Sequence, residues 1–385
     1  MSRVTNQRRL FLELMAELRP WWRQDAGLPN RLNAWLARHR AGSRDRRLYR
    51  ELAYTAWRIL PWIEDASDEI LIARVANHAE ETTATAAYIE AFRDTSCADP
   101  ADPIELFPSW LNDQCPATEN PAVREKLLER APLWIRLQTK NQDEVAREFR
   151  DHDIPFDPSA QIPSAWRLPR GAPVSNTEAF RNGLIEVQDI GSQAILWSLP
   201  GLTGQNWLDA CAGAGGKTLQ LAQLVGPEGT VVAHDVRPKA LKELQMRQQR
   251  AGFGNITTTR NVTGRYSGVL VDAPCSGSGT WRRSPHLKWT TKPEQITRAT
   301  ERQLFLLGQY SQFVMTDGIL VYATCSLCRT ENDGVADQFE QSHPEFRPLP
   351  LRSPGLSAPH ESARLTLFPG DLDSDAYFVA AWKRS

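Results

Sequence analysis

Residues 207–218 read WLDACAGAGGKT, a short apolar run that ends in an acidic residue, followed by a glycine-rich loop and a helical segment. Glycine lets the backbone turn sharply after a strand and come close to a ligand. Asp235 ends the next apolar run about 20 residues further on, where an acidic side chain reaches a ribose in dinucleotide-type folds. The spacing of a Walker A loop is absent. The pattern therefore predicts a nucleoside-bearing cofactor and disfavours a nucleoside triphosphatase.

Further apolar runs alternate with helical segments along the second half of the chain. They cover residues 230–235, 268–272 and 318–323. Short, continuously apolar runs suit strands that are covered on both faces, which predicts a parallel, doubly wound α/β sheet. We expect the last run, residues 376–382, to complete this sheet as an antiparallel edge strand.

Two of these runs lead directly into cysteines. Residues 272–279 read DAPCSGSG and residues 323–326 read ATCS. Strand carboxyl ends gather at one edge of such a sheet, so Cys275 and Cys325 should meet beside the glycine loop. A thiolate that adds to a pyrimidine ring activates the neighbouring ring carbon toward a methyl sulfonium, which predicts methylation of a pyrimidine carbon. The alternative for Cys275 is a buried thiol that acts as a small apolar residue.

The segment that follows the first cysteine interleaves cations with indoles. Residues 281–289 read WRRSPHLKW. Such a pattern suits phosphate contacts and base stacking with single-stranded or flipped-out nucleic acid. The alternative is a surface loop in which a tryptophan is buried against the protein. The candidate RNA-binding residues are Arg282, Arg283, His286, Lys288 and Trp289.

Composition narrows the class of protein. The chain has 385 residues, which is enough for two or three domains. Its six cysteines are too few for a disulfide framework in a chain of this length. The Cys325–Cys328 pair lacks the second pair that a zinc site needs, so we expect no metal. No apolar stretch is long enough to cross a bilayer, and we expect a cytoplasmic protein without membrane contact.

The first 130 residues show the apolar periodicity of helices, and their basic residues are concentrated in the first half. Residues 1–60 hold 13 Lys and Arg against 5 Asp and Glu, which suits either phosphate binding or a solvated helix face. Apolar residues recur at helical spacing, as in Leu10, Phe11, Leu14, Met15 and Leu18. We expect a helical domain over residues 1–130, a small α/β module over 131–178 and a catalytic domain over 179–385.

These motifs together resemble the Nop/Sun family of RNA cytosine-5 methyltransferases, and within it the bacterial small-subunit rRNA enzymes. The resemblance rests on DAPCSGSGT at 272–280 with ATCS at 323–326, on residues 180–193, and on GSRDRR at 42–47. It implies a NusB-like all-α domain, an RRM-like module and a class I, Rossmann-like domain that uses S-adenosylmethionine.

The resemblance also implies a role for each matched residue. Cys325 would attack cytosine C6, Cys275 would assist product release, and Asp272 would bind the cytosine edge beside the methyl donor. Asp235 would hold the ribose of the cofactor, and Asn261, which stands where an acidic residue is usual, would be nearest its adenine. The amino-acid portion of the cofactor would be lined by Cys211, Ala212, Gly213, Ala214, Gly215, Gly216 and Lys217.

Three alternatives stay open. A DNA cytosine-5 methyltransferase shares the chemistry but uses a cysteine after a proline, so Cys325 favours RNA. The second alternative is the same enzyme activity directed at tRNA, whereas we expect rRNA. A non-catalytic ribosome-assembly factor would not need both cysteines. We expect a monomer.

Overall fold

The computed structural model describes residues 2–100, 103–353 and 362–385. The chain divides into two compact units: Met1–Leu128 with Trp281–Pro293, and Glu129–Thr280 with Glu294–Ser385. The first boundary lies close to the predicted one at residue 130. The return of residues 281–293 to the first unit was not expected. Within the described ranges, no helix is both long and apolar enough to span a bilayer.

The first unit is helical, and its described part contains no strand. Its packing follows from the apolar stripe along the first helix, where Phe11, Leu14 and Leu18 are fully buried. Ser2 caps that helix by accepting a hydrogen bond from the Thr5 backbone amide. The α-helices of this unit are Arg3–Leu18, Leu28–Arg38, Ser43–Arg58, Leu60–Ile63, Asp68–His78, Ala86–Phe92, Leu111–Gln114, Pro121–Leu128 and Leu287–Thr290.

The second unit begins with a small antiparallel sheet. Its strands are β1 (Leu133–Leu137), β2 (Asp157–Pro158), β3 (Ala165–Leu168) and β4 (Ile185–Val187), in the order β2-β3-β1-β4. The helix Gln142–Asp151 packs on this sheet through Val145, Ala146 and Phe149. Because β4 lies beyond residue 178, the small module extends past its predicted end.

The large sheet of the second unit carries the predicted apolar runs. Its strands are β5 (Asn206–Asp209), β6 (Thr230–His234), β7 (Ile256–Thr259), β8 (Tyr266–Asp272), β9 (Val314–Thr324), β10 (Phe346–Pro348), β11 (Arg364–Leu367) and β12 (Tyr377–Arg384). Their order is β10-β12-β9-β8-β5-β6-β7, with β11 paired to β12. The five neighbouring strands β9, β8, β5, β6 and β7 are parallel.

The last strand corrects one expectation. β12 runs antiparallel to β9, as predicted, but it is not an edge strand. Its other side pairs with β10 and β11, whose sequences are short and partly polar. These two strands cover the backbone groups that an edge would leave unpaired.

Both faces of the sheet are buried at its centre, which explains why the runs in β8 and in the second half of β9 are continuously apolar. In β8, Leu270 packs into the core on one face, whereas Val269 and Val271 pack into the core on the other. The helices of the second unit are Gln142–Asp151, Glu178–Arg181, Ile190–Trp197, Gly216–Val225, Pro238–Ala251, Pro293–Ser311, Asp333–Ser342 and Pro369–Leu372. The parallel strands end at one edge of the sheet, and the predicted site residues follow these ends.

Candidate active site

The glycine loop after β5 has a conformation that requires glycine. Gly213 has φ +54° and Gly215 has φ +93°, both in the left-handed region. Gly215 is the N-cap of the helix Gly216–Val225, and a Cβ on it would lie 2.7 Å from Cγ of Leu244. The loop therefore packs tightly at Gly215, whereas a Cβ at Gly216 would meet nothing within 4 Å.

Asp235 lies at the end of β6 and is already held in place. Its carboxylate accepts hydrogen bonds from the Gly213 backbone amide at 2.9 Å and from the Arg237 backbone amide at 2.8 Å. The Arg237 guanidinium donates two more, at 3.0 and 2.9 Å. Burial opposes ionisation, but these hydrogen bonds outweigh it and lower the pKa of Asp235 below its ordinary value. The residue therefore presents a fixed anionic acceptor.

Asp209 and Cys211 flank the start of the loop. Asp209 is fully buried and accepts a hydrogen bond from Oγ1 of Thr218 at 2.7 Å. Burial raises the pKa of Asp209 to about 7. Burial and the charges of Asp209, Asp272 and Asp235 raise the pKa of Cys211, so that this thiol stays protonated. Asp209 is not among the predicted site residues, although its position at a strand end is a signal for it.

Lys217 joins the glycine loop to the end of β8. Its ammonium group lies 2.8 Å from Oδ2 of Asp272, and the lysine side chain is only 11% exposed. The pair fixes the Asp272 carboxylate two residues before Pro274. The predicted cofactor residues and the predicted cytosine-binding residue thus lie together.

The two predicted cysteines are in contact. Sγ of Cys275 lies 3.4 Å from Sγ of Cys325, and both residues are half-buried. The β8–β9 register, which pairs Asp272 with Ala323, brings them together. The hydrogen bond with Cys325, burial and the charge of Glu331 raise the pKa of Cys275 well above its ordinary value. Cys275 is therefore held as the neutral thiol.

The serine–glycine loop after Cys275 packs directly on the second cysteine. The Gly279 backbone amide donates to the Cys325 carbonyl at 3.0 Å. A Cβ at Gly279 would lie 2.3 Å from the carbonyl oxygen of Ala376, so a larger residue would push the loop away. The sequence SGSG thereby allows the close approach of the two cysteine loops.

Cys328 does not join the reactive pair. It is buried, and burial together with the charge of Glu331 raises its pKa to about 12. Its sulfur lies 3.6 Å from Oγ of Ser278 and 3.9 Å from Oγ of Ser276. Among the residues that the structure describes, no group of three or more His, Cys, Asp or Glu side chains is arranged to hold a metal.

Glu331 is a site residue that the sequence analysis missed. It is fully buried and accepts hydrogen bonds from the Ser276 backbone amide at 2.8 Å and from Nε2 of Gln303 at 2.9 Å. The hydroxyl groups of Ser276 and Ser326 donate to its other oxygen, each at 2.5 Å. Both serines directly follow a predicted catalytic cysteine, so Glu331 links the two loops.

The predicted RNA-binding segment needs a correction, because four of its five residues are buried in the helical unit: Arg282, His286, Lys288 and Trp289. The Trp289 indole donates to the Trp57 carbonyl at 2.6 Å, and Nζ of Lys288 donates to the Arg58 carbonyl at 3.2 Å. Burial lowers the pKa of His286 to about 4. The expectation that these four side chains face RNA is therefore wrong for this conformation.

Two predicted residues remain at exposed positions. Arg283 is the exposed member of the segment 281–289 that was expected to bind RNA. Asn261 is exposed two residues after the end of β7, where its backbone amide donates to Oγ1 of Thr259 at 3.1 Å. The role of Asn261 near the adenine stays a prediction.

Comparison with known proteins identifies relatives of the part of the chain that carries the site. The profile of the family described as 16S rRNA methyltransferase RsmB/F matches residues 198–383. The chain is 34% identical over 266 residues to the probable ribosomal RNA small subunit methyltransferase B of Bacillus subtilis (strain 168), a match that covers 66% of this chain and 59% of that protein. It therefore spans about three fifths of that relative.

A second relative matches over a longer stretch. The probable ribosomal RNA small subunit methyltransferase B of Synechocystis sp. is 30% identical over 298 residues, which covers 72% of this chain and 67% of that protein. The crystal structure of PH0851 superposes with a TM-score of 0.74 at 22% identity, covering 91% of this chain and 93% of that one. This superposition supports the fold.

Proposed function

Because the chain belongs to the 16S rRNA methyltransferase RsmB/F family, we propose that it methylates the C5 carbon of a cytosine in small-subunit rRNA. The observation that carries the proposal is the contact between the two cysteine sulfurs, 3.4 Å apart at the ends of β8 and β9. They stand beside the acidic groups and the glycine loop that suit a methyl donor.

The residues around the glycine loop fit S-adenosylmethionine, which supplies an electrophilic methyl group on a positively charged sulfonium. The carboxyl groups of Asp209, Asp235 and Asp272 surround Cys211 at the ends of three neighbouring strands. The glycine loop, with Gly213 and Gly215 in left-handed conformations, gives the amino-acid portion a close approach to the backbone. Asp235 would accept hydrogen bonds from the ribose hydroxyl groups in place of the exposed Arg237 guanidinium, which now occupies part of its carboxylate.

The proposed first step is addition of the Cys325 thiolate to cytosine C6. A C6–S bond would form and the electron pair of the C5–C6 double bond would move to C5. C5 could then take up the electrophilic methyl group that S-adenosylmethionine would supply when bound, with the electrons of the broken S–CH3 bond remaining on the donor sulfur. Asp272, fixed by Lys217, would accept a hydrogen bond from the exocyclic amino group and hold the ring in place.

The proposed second step releases the product. The C5 proton passes to water, its bonding electrons restore the C5–C6 double bond, and the C6–S bond breaks to return the Cys325 thiolate. A protonated Cys275 at 3.4 Å would donate a hydrogen bond to the departing sulfur. The raised pKa of Cys275 supports this role because it keeps the donor proton in place.

The overall activity is tested by methyl transfer from radiolabelled S-adenosylmethionine to fractionated cellular RNA, followed by bisulfite sequencing. We expect label in small-subunit rRNA and a new 5-methylcytosine there. Cys325→Ala should abolish incorporation, whereas Cys97→Ala should not, since that thiol belongs to the helical unit. Label in tRNA alone would change the substrate, and no label in any RNA with cofactor binding intact would favour the assembly factor.

The roles of the two cysteines are tested by trapping. In Cys275→Ala the release step is impaired, so we expect a protein–RNA adduct that migrates slowly in denaturing gels. Cys325→Ala should give no adduct because the attacking sulfur is absent. The reverse pattern would assign the attack to Cys275, as in the DNA enzymes.

A further inference from the structure

Two consecutive buried residues contact the loops that carry the cysteines. Glu331 and Asn332 are 0% and 2% exposed, and they follow the second cysteine by six and seven positions. Neither residue belongs to the chemistry described above. Glu331 bonds mainly to the loop of Cys275, with one bond to Ser326, whereas the side chain of Asn332 bonds to the loop of Cys325. This difference suggests separate roles.

Glu331 holds the backbone on both sides of Cys275. On the carboxyl side, its oxygens accept from the Ser276 amide at 2.8 Å and from the Ser276 hydroxyl at 2.5 Å. On the amino side, Gln303 donates to the Pro274 carbonyl at 3.0 Å and to Glu331 at 2.9 Å. Loss of the Glu331 carboxylate would remove the contacts that fix the peptide after Cys275 and loosen the bridge before it.

Asn332 holds the backbone and side chain on both sides of Cys325. Its Oδ1 accepts from the Thr324 hydroxyl at 2.7 Å, and its Nδ2 donates to the Ser326 carbonyl at 2.9 Å. These two bonds do not involve Glu331. The loop of Cys325 therefore keeps its supports when Glu331 is altered, although one further contact, from the Ser326 hydroxyl to Glu331, is lost.

We propose that Glu331 and Asn332 are positioning residues that divide the reaction between them, Glu331 placing Cys275 for product release and Asn332 placing Cys325 for attack. The inference rests on the proposed function. It assigns no new covalent step, since both residues act by holding a sulfur in place. A displacement of about 1 Å at a reacting group lowers a rate up to ~100-fold, so each loss should be visible in its own step.

The experiment compares three consecutive alanine variants on the full chain. Turnover should fall about 10- to 100-fold in Glu331→Ala and in Asn332→Ala. The protein–RNA adduct should accumulate in Glu331→Ala, as in Cys275→Ala, and should form slowly in Asn332→Ala without accumulating. Asp333→Ala is the matched control because that residue is exposed and pairs with Arg364 on the surface. It should behave as the wild type.

Two further variants separate positioning from general damage. In Glu331→Gln the amide oxygen can still accept from the Ser276 amide and Gln303, while the serine hydroxyls turn to accept from the amide nitrogen, so turnover should largely recover. Gln303→Ala removes only the bridge to Pro274 and should show a weaker accumulation of the same kind. If circular dichroism shows that Glu331→Ala is unfolded, Gln303→Ala replaces it in the comparison.

The outcomes distinguish this inference from the proposed function. Accumulation in Cys275→Ala but not in a folded Glu331→Ala, or not in Gln303→Ala, would overturn the role of Glu331. Equal accumulation in the Glu331 and Asn332 variants would overturn the division. No adduct in Cys275→Ala and no methylation by the wild type would instead overturn the proposed function itself.

Discussion

The buried carboxyl group of Asp209 should make the stability of the protein depend on pH. Its side chain ends β5 beneath the glycine loop, is 1% exposed and accepts a hydrogen bond from Thr218. Burial raises its pKa to about 7, whereas an aspartate in the unfolded chain titrates near 3.8. The folded protein therefore holds a proton on Asp209 over a pH range in which the unfolded chain has released it.

The sign and the size of the effect follow from this difference. Because the folded-state pKa of Asp209 lies above its unfolded-state value, this group contributes its full stabilisation below about pH 3.8. That contribution is lost as the pH rises through 7. Between pH 5 and pH 8, the free energy of unfolding should fall by about 2–3 kcal/mol from this group alone. The fall ends above pH 8 because both states are then ionised.

The test is Asp209→Asn, which keeps an acceptor oxygen for Thr218 and removes the titration. Urea unfolding followed by circular dichroism gives the free energy of unfolding for both proteins at pH 5 and at pH 8. The wild type should lose about 2–3 kcal/mol relative to the variant between these two pH values, with unchanged slopes in urea. A difference between the proteins that is the same at both pH values would refute the argument from burial.

Other predictions use the core, the cofactor site and the helical unit. Gly268→Ala would place a Cβ 2.2 Å from the Trp207 ring, so it should destabilise the protein by about 1–3 kcal/mol in urea unfolding, whereas Gly201→Ala, with nothing within 4 Å, should be neutral. Asp235→Ala should weaken S-adenosylmethionine binding about 10-fold or more in calorimetry, with the circular dichroism unchanged. Burial lowers the pKa of Lys288, so acidification from pH 10 to pH 7 should reduce the thermal stability of the wild type more than that of Lys288→Met.

The large sheet and the reactive pair were predictable because each has a local signature. Strands covered on both faces need apolar residues at every position, and β5, β6, β8 and β9 show such runs. The motifs that follow them stand at the carboxyl ends that every parallel sheet brings to one edge. The resemblance to the Nop/Sun family, which used these same motifs, is confirmed by the family match.

Other features depend on partners that are distant in the chain. The position of β12 inside the sheet requires β10 and β11, which are short and carry few apolar residues. In the segment 281–289, the same alternation of cations and indoles would serve either RNA bases or the protein's own helices. The hydrogen bond from Trp289 to Trp57 joins residues 232 positions apart, and no local pattern encodes that choice.

Glu331 shows what such long-range convergence does to chemistry. A buried carboxylate is unfavourable by several kcal/mol unless donors replace the water that it loses. Glu331 receives donors from Ser276, Ser326 and Gln303, which come from three separate parts of the chain. A carboxylate satisfied in this way has its hydrogen-bonding capacity taken up by the protein's own donors. It is therefore suited to anchoring the loops that hold the sulfurs, and the chemical steps fall to Cys275 and Cys325.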